Sequence, residues 1–444
     1  MKIRILALVI LFCTAFRLIA QNRDILWLFG PSLTSAQWTN AKLRAQANSY
    51  DFNSINITPY DNNTLANNIP DWAAFFNTKL NDGNHTDVLG IGHDAGGLII
   101  RYMDMAQENG RLSAMILDGT PNQGAGIFNK LLPVDNASQS EAQRMINKML
   151  NLRTQAQNCN GCQMIQATQS WVNYFAGQEA KNYYQQLKPT NSVITNLEAP
   201  GIPFAVIWGN EDDDALTLTR TMNSWCNRGL FGADNEYIDC YRSEIAQRVQ
   251  AANQQFALGL MQSIAQYAGA SAKLKITEPL AVFSIIEAQL NALVTALRTT
   301  FALNNELREI AECELVHQAM NAQWNLMLSP YVEVQENLEI PCFSCETCET
   351  ETDQQVAGYC WSLCVYDCNP VTGTYTQTYT YFTYEPHDGL LLKSEQLLAG
   401  AAKQPYVARG VNHFQEQFWE YAPIGNAFQD LFNGGAGAAF VVPK

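Results

Sequence analysis

One stretch constrains the fold more than any other: Asp87-Val-Leu-Gly-Ile-Gly-His-Asp-Ala-Gly-Gly-Leu-Ile-Ile-Arg101. An apolar run of strand length meets a turn flanked by Gly92 and Gly96, and an amphipathic helical pattern follows. A chain that reverses this tightly from buried strand into helix needs small residues on both sides of the turn. It also leaves the apical side chain, Asp94, on a strained backbone over the end of a sheet. A unit of this kind belongs in a mostly parallel α/β sheet, whose strands must be joined by helical crossovers.

The neighbouring segments repeat that alternation. Asp24 to Phe29 reads as an apolar strand ending in Gly30, and Ser54 to Thr58 as a second, followed by a helix around Trp72 to Leu80. Further strands are expected at Ala114 to Leu117, before Gly119-Thr-Pro-Asn-Gln-Gly124, and at Phe204 to Trp208, before Glu211 and Asp212 to Asp214. The pattern then changes. Ile245, Val249, Ala252, Phe256 and Leu260 recur at helical spacing, as do Ile286, Leu290, Leu293, Leu297 and Phe301. Thr374 to Tyr384 alternates Thr and Tyr as a strand or hairpin does. At 444 residues and 47% hydrophobic composition the chain can bury a large core. The expected layout is a signal peptide at 1–20, an α/β core at 21–214 with a lid around 127–200, a helical and cysteine-rich insertion at 215–373, and the rest of the core at 374–444. The glycine-rich tail, with Gly434, Gly435 and Gly437, reads as a plain exposed end.

Residues 1–20 have the parts of a secretory signal: Lys2 and Arg4, an apolar stretch from Ile5 to Phe16, and Ala20 before Gln21. The stretch is short for a membrane span and nothing later provides one. The expected location is therefore secreted or periplasmic. That segment holds three of the 27 basic residues and none of the 42 acids, so the rest carries 24 against 42, a net charge of −18. Such a balance argues against nucleic-acid partners and anionic membrane surfaces. Eleven cysteines lie outside the signal, six of them clustered at Cys342, Cys345, Cys348, Cys360, Cys364 and Cys368. Export favours disulfides over a zinc site there, so no metal or cofactor is expected. Cys226 with Cys240 and Cys159 with Cys162 are spaced for local pairs, which leaves Cys313 odd. Oligomeric state leaves no signature.

Gly92-His93-Asp94-Ala95-Gly96 has the spacing of the nucleophile elbow, G-x-S-x-G, of α/β-hydrolases. With Gly119-Thr-Pro-Asn-Gln-Gly124, Asp388-Gly-Leu-Leu-Leu-Lys-Ser394 and Asn412-His413, it makes the chain resemble the secreted bacterial triacylglycerol lipases and their lipase-like relatives. The resemblance implies an α/β-hydrolase fold, a small-molecule or lipid substrate, and a triad of Asp94, Asp388 and His413. It covers the sheet-forming parts, and the region from about Ala215 to Thr374 has no counterpart. Asp212, Asp213 and Asp214 compete with Asp388 as triad acid, because acids commonly follow such a strand. Gly119-Thr120-Pro121 reads as a structural turn beneath the site.

Two departures bear on the chemistry. Asp94 stands where the family has serine, and a carboxylate attacking an ester would form an anhydride while expelling an alkoxide, an unfavourable exchange. The oxyanion-hole positions fall on Ala95 and Pro31, and Pro31 has no N–H to give. One such donor is typically worth about 3 kcal/mol of barrier. Aspartate at the elbow is also the nucleophile of haloalkane dehalogenases and epoxide hydrolases, which attack saturated carbon. Ala95 replaces the tryptophan usual after that aspartate, which argues against halide chemistry. Epoxide opening needs a proton donor such as Tyr174, Tyr183 or Tyr184. Carboxylates on both sides of His413 are expected to raise its pKa and weaken it as a base. Three functions follow: a lipase-like hydrolase using Asp94, an inactive relative that binds a lipid or apolar ligand, and an interaction protein of the cell envelope.

Overall fold

The computed structural model describes residues 22–30, 37–55, 60, 65–106, 110–133, 139–153, 162–211, 217–226, 321, 323–325, 327–328, 331–341 and 374–444. The signal peptide, Pro31, Asp212 to Asp214, the two helices expected at 245–260 and 286–301, His317 and the six-cysteine cluster lie outside them. So do Cys159, Cys240 and Cys313, and the side chains of Cys162 and Cys226.

Six parallel strands form the main sheet: β1 (Arg23–Leu28), β2 (Phe52–Ile55), β3 (Val88–His93), β4 (Leu112–Asp118), β5 (Phe204–Asn210) and β8 (Tyr406–Arg409). Their spatial order is β2-β1-β3-β4-β5-β8. The central strand β3 is buried at every residue and registers Gly92 with Leu28 on one side and with Leu117 on the other. Burial of both faces is why the strand reads as a continuous apolar run instead of alternating. Helices α1 (Gln37–Ala47), α2 (Ile69–Asp82) and α3 (Ala95–Ala106) connect the first strands. Asn68 caps α2 by accepting from the Asp71 N–H, and Pro70 stands in its first turn, where no N–H is needed. Trp72, Ala73, Phe76 and Leu80 form its buried face.

Between β4 and β5, the segment expected as a lid is helical, with α4 (Glu141–Arg153), α5 (Cys162–Ala176) and α6 (Gln178–Tyr184). Trp171, Phe175, Tyr183 and Tyr184 bury their rings.

The region expected as one insertion at 215–373 is divided. Helix α7 (Thr217–Cys226) and the described residues between Asn321 and Leu328 group with the sheet, and the described residues Tyr331–Pro341 and Thr374–Glu385 form a second compact unit. The reason is visible at Trp324, which is fully buried and donates its indole N–H to the Gly389 carbonyl at 2.8 Å. The second unit contains β6 (Tyr331–Pro341) paired antiparallel with β7 (Thr374–Tyr384), from Tyr331–Tyr384 to Pro341–Thr374. Residues 374–384, expected with the C-terminal part of the core, thus belong to this ribbon because all eleven register with β6. The sheet's unit resumes at Pro386.

The tail is not a plain exposed end. After α8 (Ala422–Phe432), Phe440 and Val442 are buried, and Pro443 accepts from the Asp51 N–H at 2.7 Å. Arg23 donates to the Val441 carbonyl at 2.7 Å. Phe440→Ala is expected to cost roughly 3–5 kcal/mol, readable as a lowered denaturant midpoint. Among the described residues no helix is long and apolar enough to cross a membrane.

Candidate active site

The turn between β3 and α3 puts Asp94 at φ +53°, in the left-handed region. The backbones of strand and helix pass so closely that a Cβ on Gly92 would lie 2.5 Å from the Gly97 Cα. One on Gly96 would lie 2.6 Å from the Phe29 nitrogen. Both flanking glycines are therefore steric requirements of the turn. The Asp94 N–H is held by the Asp118 carbonyl at 3.2 Å. Parallel sheet, sharp elbow after its central strand, and helix packed back on the sheet complete the assignment. This is the α/β-hydrolase fold.

Asp388 and His413 come from loops of the same unit and meet Asp94. His413 donates from Nδ1 to Asp388 Oδ2 at 2.9 Å, and its N–H donates to the Asp388 carbonyl at 2.8 Å. The other carboxylate oxygen of Asp388 accepts from the Leu390 and Leu391 N–H groups at 2.8 and 2.6 Å. The Asp-Gly-Leu-Leu segment is thus a turn that clamps its own carboxylate. His413 Nε2, fully buried and without a hydrogen-bond partner among the described residues, faces Asp94 Oδ1 at 4.0 Å. The three residues expected as a triad are brought together.

Asp94 is buried, and the backbone N–H of Ala95 favours the charge of its carboxylate. Its other face lies against Gly30, where any Cβ would collide with Oδ2. The end of β1 is fixed by two buried donors to consecutive carbonyls: Trp38 Nε1 bonds Leu28 at 2.9 Å, and the Tyr60 hydroxyl bonds Phe29. Of the two expected oxyanion positions, Ala95 has an N–H that favours the carboxylate's charge, and Pro31 lies outside the described residues.

Burial raises the Asp94 pKa to about 6, against the opposing pull of His413 and the Ala95 N–H, with Asp388 adding to the rise. For His413, burial acts to lower the pKa, but the charge and hydrogen bond of Asp388 and the charge of Asp94 prevail, and the net shift is upward. This agrees with the expectation for an imidazole between two carboxylates.

Beneath the triad lies a layer that sequence reasoning missed. His93 packs against His413 with the rings tilted at 41° and their centroids 4.7 Å apart, donates from Nε2 to the His413 carbonyl at 2.8 Å, and accepts at Nδ1 from Gln417 at 2.8 Å. Burial and the neighbouring His413 hold its pKa well below the ordinary value, so it is a neutral support. Glu416 and Asp118 are fully buried beside it. The nearest ligating atoms of His93, His413 and Glu416 lie within 4.8 Å of one another, a spacing that a metal can use. Here both His93 nitrogens and His413 Nδ1 already serve protein partners.

The other expected features are structural. Gly119 to Gly124 forms the turn under the site, tied down by Arg101, which donates to the Asn122 carbonyl at 2.9 Å, and by Asn122, which donates to the Gln396 carbonyl at 2.6 Å. His85 pairs with Asp24 at 2.6 Å. Glu211, just after β5, bonds Arg220 at 2.5 Å.

No family model matches the sequence, and no curated protein matches it significantly. Among solved structures, the chain is similar to a hydrolase from Oleispira antarctica (12% identity, TM-score 0.27, covering 43% of this chain and 74% of that one). It is also similar to epoxide hydrolases from metagenomes of hot environments (16%, 0.24, 44% and 76%). A third likeness is to a thermophilic esterase from Thermogutta terrifontis (11%, 0.24, 46% and 78%). Likenesses at this level leave the reaction to be argued from the site.

Proposed function

We propose that the chain is an aspartate-dependent hydrolase in which Asp94 attacks saturated, electrophilic carbon, an epoxide being the substrate class that fits the site best. The carrying observation is the free His413 Nε2 facing Asp94 Oδ1 at 4.0 Å, with Asp388 fixed behind it. An Asp94 oxygen bonds to a ring carbon, the carbon–oxygen bond of the ring breaks, and the leaving oxygen takes a proton from Tyr183. Of the lid-segment tyrosines, Tyr183 is taken as the donor for its position. Its hydroxyl is buried, has no hydrogen-bond partner among the described residues, and lies near enough to Asp94 for that charge to raise its pKa after burial and Tyr60. His413 then removes a proton from water, whose oxygen adds to the Asp94 carboxyl carbon. The resulting oxyanion is stabilised by the Ala95 N–H. Collapse releases the alcohol, which takes its proton from His413, and the second proton of the water returns from Asp94 to Tyr183.

The raised His413 pKa fits this order of events. While Asp94 is anionic, two carboxylates flank the imidazole and raise its pKa. Esterification removes one of its two anions, so its pKa falls at the step that needs a base.

One turnover in ¹⁸O-water with enzyme in excess tests the proposal. The label is expected in the Asp94 carboxylate, read by mass spectrometry of its peptide; label in the product alone would overturn a covalent role for Asp94. Tyr183→Phe is expected to lower epoxide turnover roughly 10²–10⁴-fold, measured by steady-state kinetics, through loss of the proton donor.

A second reading draws on the burial of Asp94 and Asp388 around His413. An ion triplet of this kind can hold together the site of an inactive relative that binds an apolar ligand. Saturable ligand binding with neither turnover nor label favours that reading. In either case the acidic chain and its leader-like residues 1–20 support a secreted or periplasmic location.

A further inference from the structure

Glu416 stands three residues after His413 with no exposed surface, its Oε2 3.8 Å from His413 Nδ1 and 3.3 Å from His93 Nε2. Among the described residues no side chain donates to it with hydrogen-bond geometry, and the Gly209 N–H is the backbone group that favours its charge. The space it fills is made by two glycines at the ends of adjacent strands. A Cβ on Gly119, which follows β4 at φ +50°, would collide with Glu416 Oε2, and one on Gly209 in β5 would collide with Oε1. The triad does not use this carboxyl, yet the sheet leaves room for it directly behind the triad histidine.

We propose that Glu416 is a second acid for His413, held in reserve behind Asp388 in the socket left by Gly119 and Gly209. The groups facing it are Asp118 at the end of β4, His93 and Asp94 at the elbow, Asp388 in the loop after the ribbon, and His413 in its own turn. Burial first, then the charges of Asp388 and Asp118, raise the Glu416 pKa well above the carboxylate range, with Asp94 adding to the rise. Asp118 is raised in the same way, by burial and by Asp388. Two adjacent buried carboxyls cannot readily share full charge with Asp388, so Glu416 rests as a neutral acid. When Asp388 loses its charge, the repulsion that keeps Glu416 protonated falls, and Glu416 can ionise beside His413 Nδ1. It is a positioning residue, acting on substrate only through the imidazole.

The role rests on the reading of His413 as the working base, but its test does not depend on turnover. In the full-length protein, the His413 imidazole is titrated by NMR in wild type, Asp388→Ala, Glu416→Gln and the double variant. Glu416→Gln alone is expected to leave the titration unchanged, because one neutral side chain replaces another. Asp388→Ala is expected to keep His413 at least about one pH unit, a tenfold shift in its protonation equilibrium, above the double variant. Identical titrations in Asp388→Ala and the double variant would overturn the proposal. If the Asp388 variants do not fold, infrared difference spectra of wild type minus Glu416→Gln at neutral pH decide it. A protonated-carboxyl band is expected from the resting acid, and a carboxylate band would refute it.

Discussion

Asp94→Asn is expected to abolish hydrolysis while making the protein more stable at pH 8. The amide has no anionic oxygen to form the ester, so kcat should fall on the order of 10⁴-fold or more, as when other catalytic-triad members are removed. Stability moves the other way because Asp94, buried at the elbow, has a pKa of about 6 in the fold against an ordinary 3.8. Between those values the folded state binds the proton that the unfolded chain has released. Stability therefore falls as pH rises through that window and remains lower above it. A neutral amide removes the penalty, worth up to about 3 kcal/mol at pH 8 and nothing below pH 4. Denaturant unfolding of wild type and variant at the two pH values checks this, and a variant less stable than wild type at pH 8 would contradict it. The same ionisation makes kcat/KM of the wild type rise with pH through about 6, where the nucleophile gains its charge.

His413→Gln is expected to separate the two halves of the reaction. Attack by Asp94 needs no base, whereas hydrolysis of the ester needs a proton acceptor at the His413 Nε2 position. The variant should give one equivalent of substrate-sized mass bound to the chain, followed by turnover slowed roughly 10²–10⁴-fold. Intact-mass spectrometry and mapping of the adduct to the Asp94 peptide provide the measurement. Slowed turnover with no adduct on the chain would mean that His413 acts on a water directly, with Asp94 as a spectator. An acyl ester and an epoxide tried side by side also separate chemistries. The anhydride that Asp94 would form from an ester is too costly to accumulate, while an alkyl ester from an epoxide is stable until water is activated.

The sheet was legible because its strands are buried on both faces and read as apolar runs: the runs expected at Ala114 to Leu117 and Phe204 to Trp208 lie within Leu112–Asp118 and Phe204–Asn210, and the apolar run before the elbow is Val88–His93. The elbow was legible because sterics leave few residue types able to flank it. Asp388 and His413 were legible through their order in the chain and the Asp-Gly and Asn-His segments around them. Other features were not. Phe440 and Val442 carry no periodicity, so the burial of the tail had no local signal. The Thr and Tyr alternation of β7 announced a strand but not its partner; pairing with β6 excluded it from the core.

Within the site the division is sharper. The amino-acid sequence by itself determined the strand–turn–helix unit, the aspartate at its apex, and the acid and histidine that could serve it, because backbone sterics and residue chemistry are local properties. Only the tertiary structure decided that His413 lies between Asp388 and Asp94, that Gly30 makes room for the Asp94 carboxylate, and that Tyr183 lies close enough to feel its charge. It alone placed Glu416 and Asp118 behind the imidazole, in space left by glycines 297 and 207 residues away from Glu416 along the chain. Charges in a buried site are set by what surrounds them in three dimensions, and burial and neighbouring carboxylates are properties of the packed chain that no local pattern encodes.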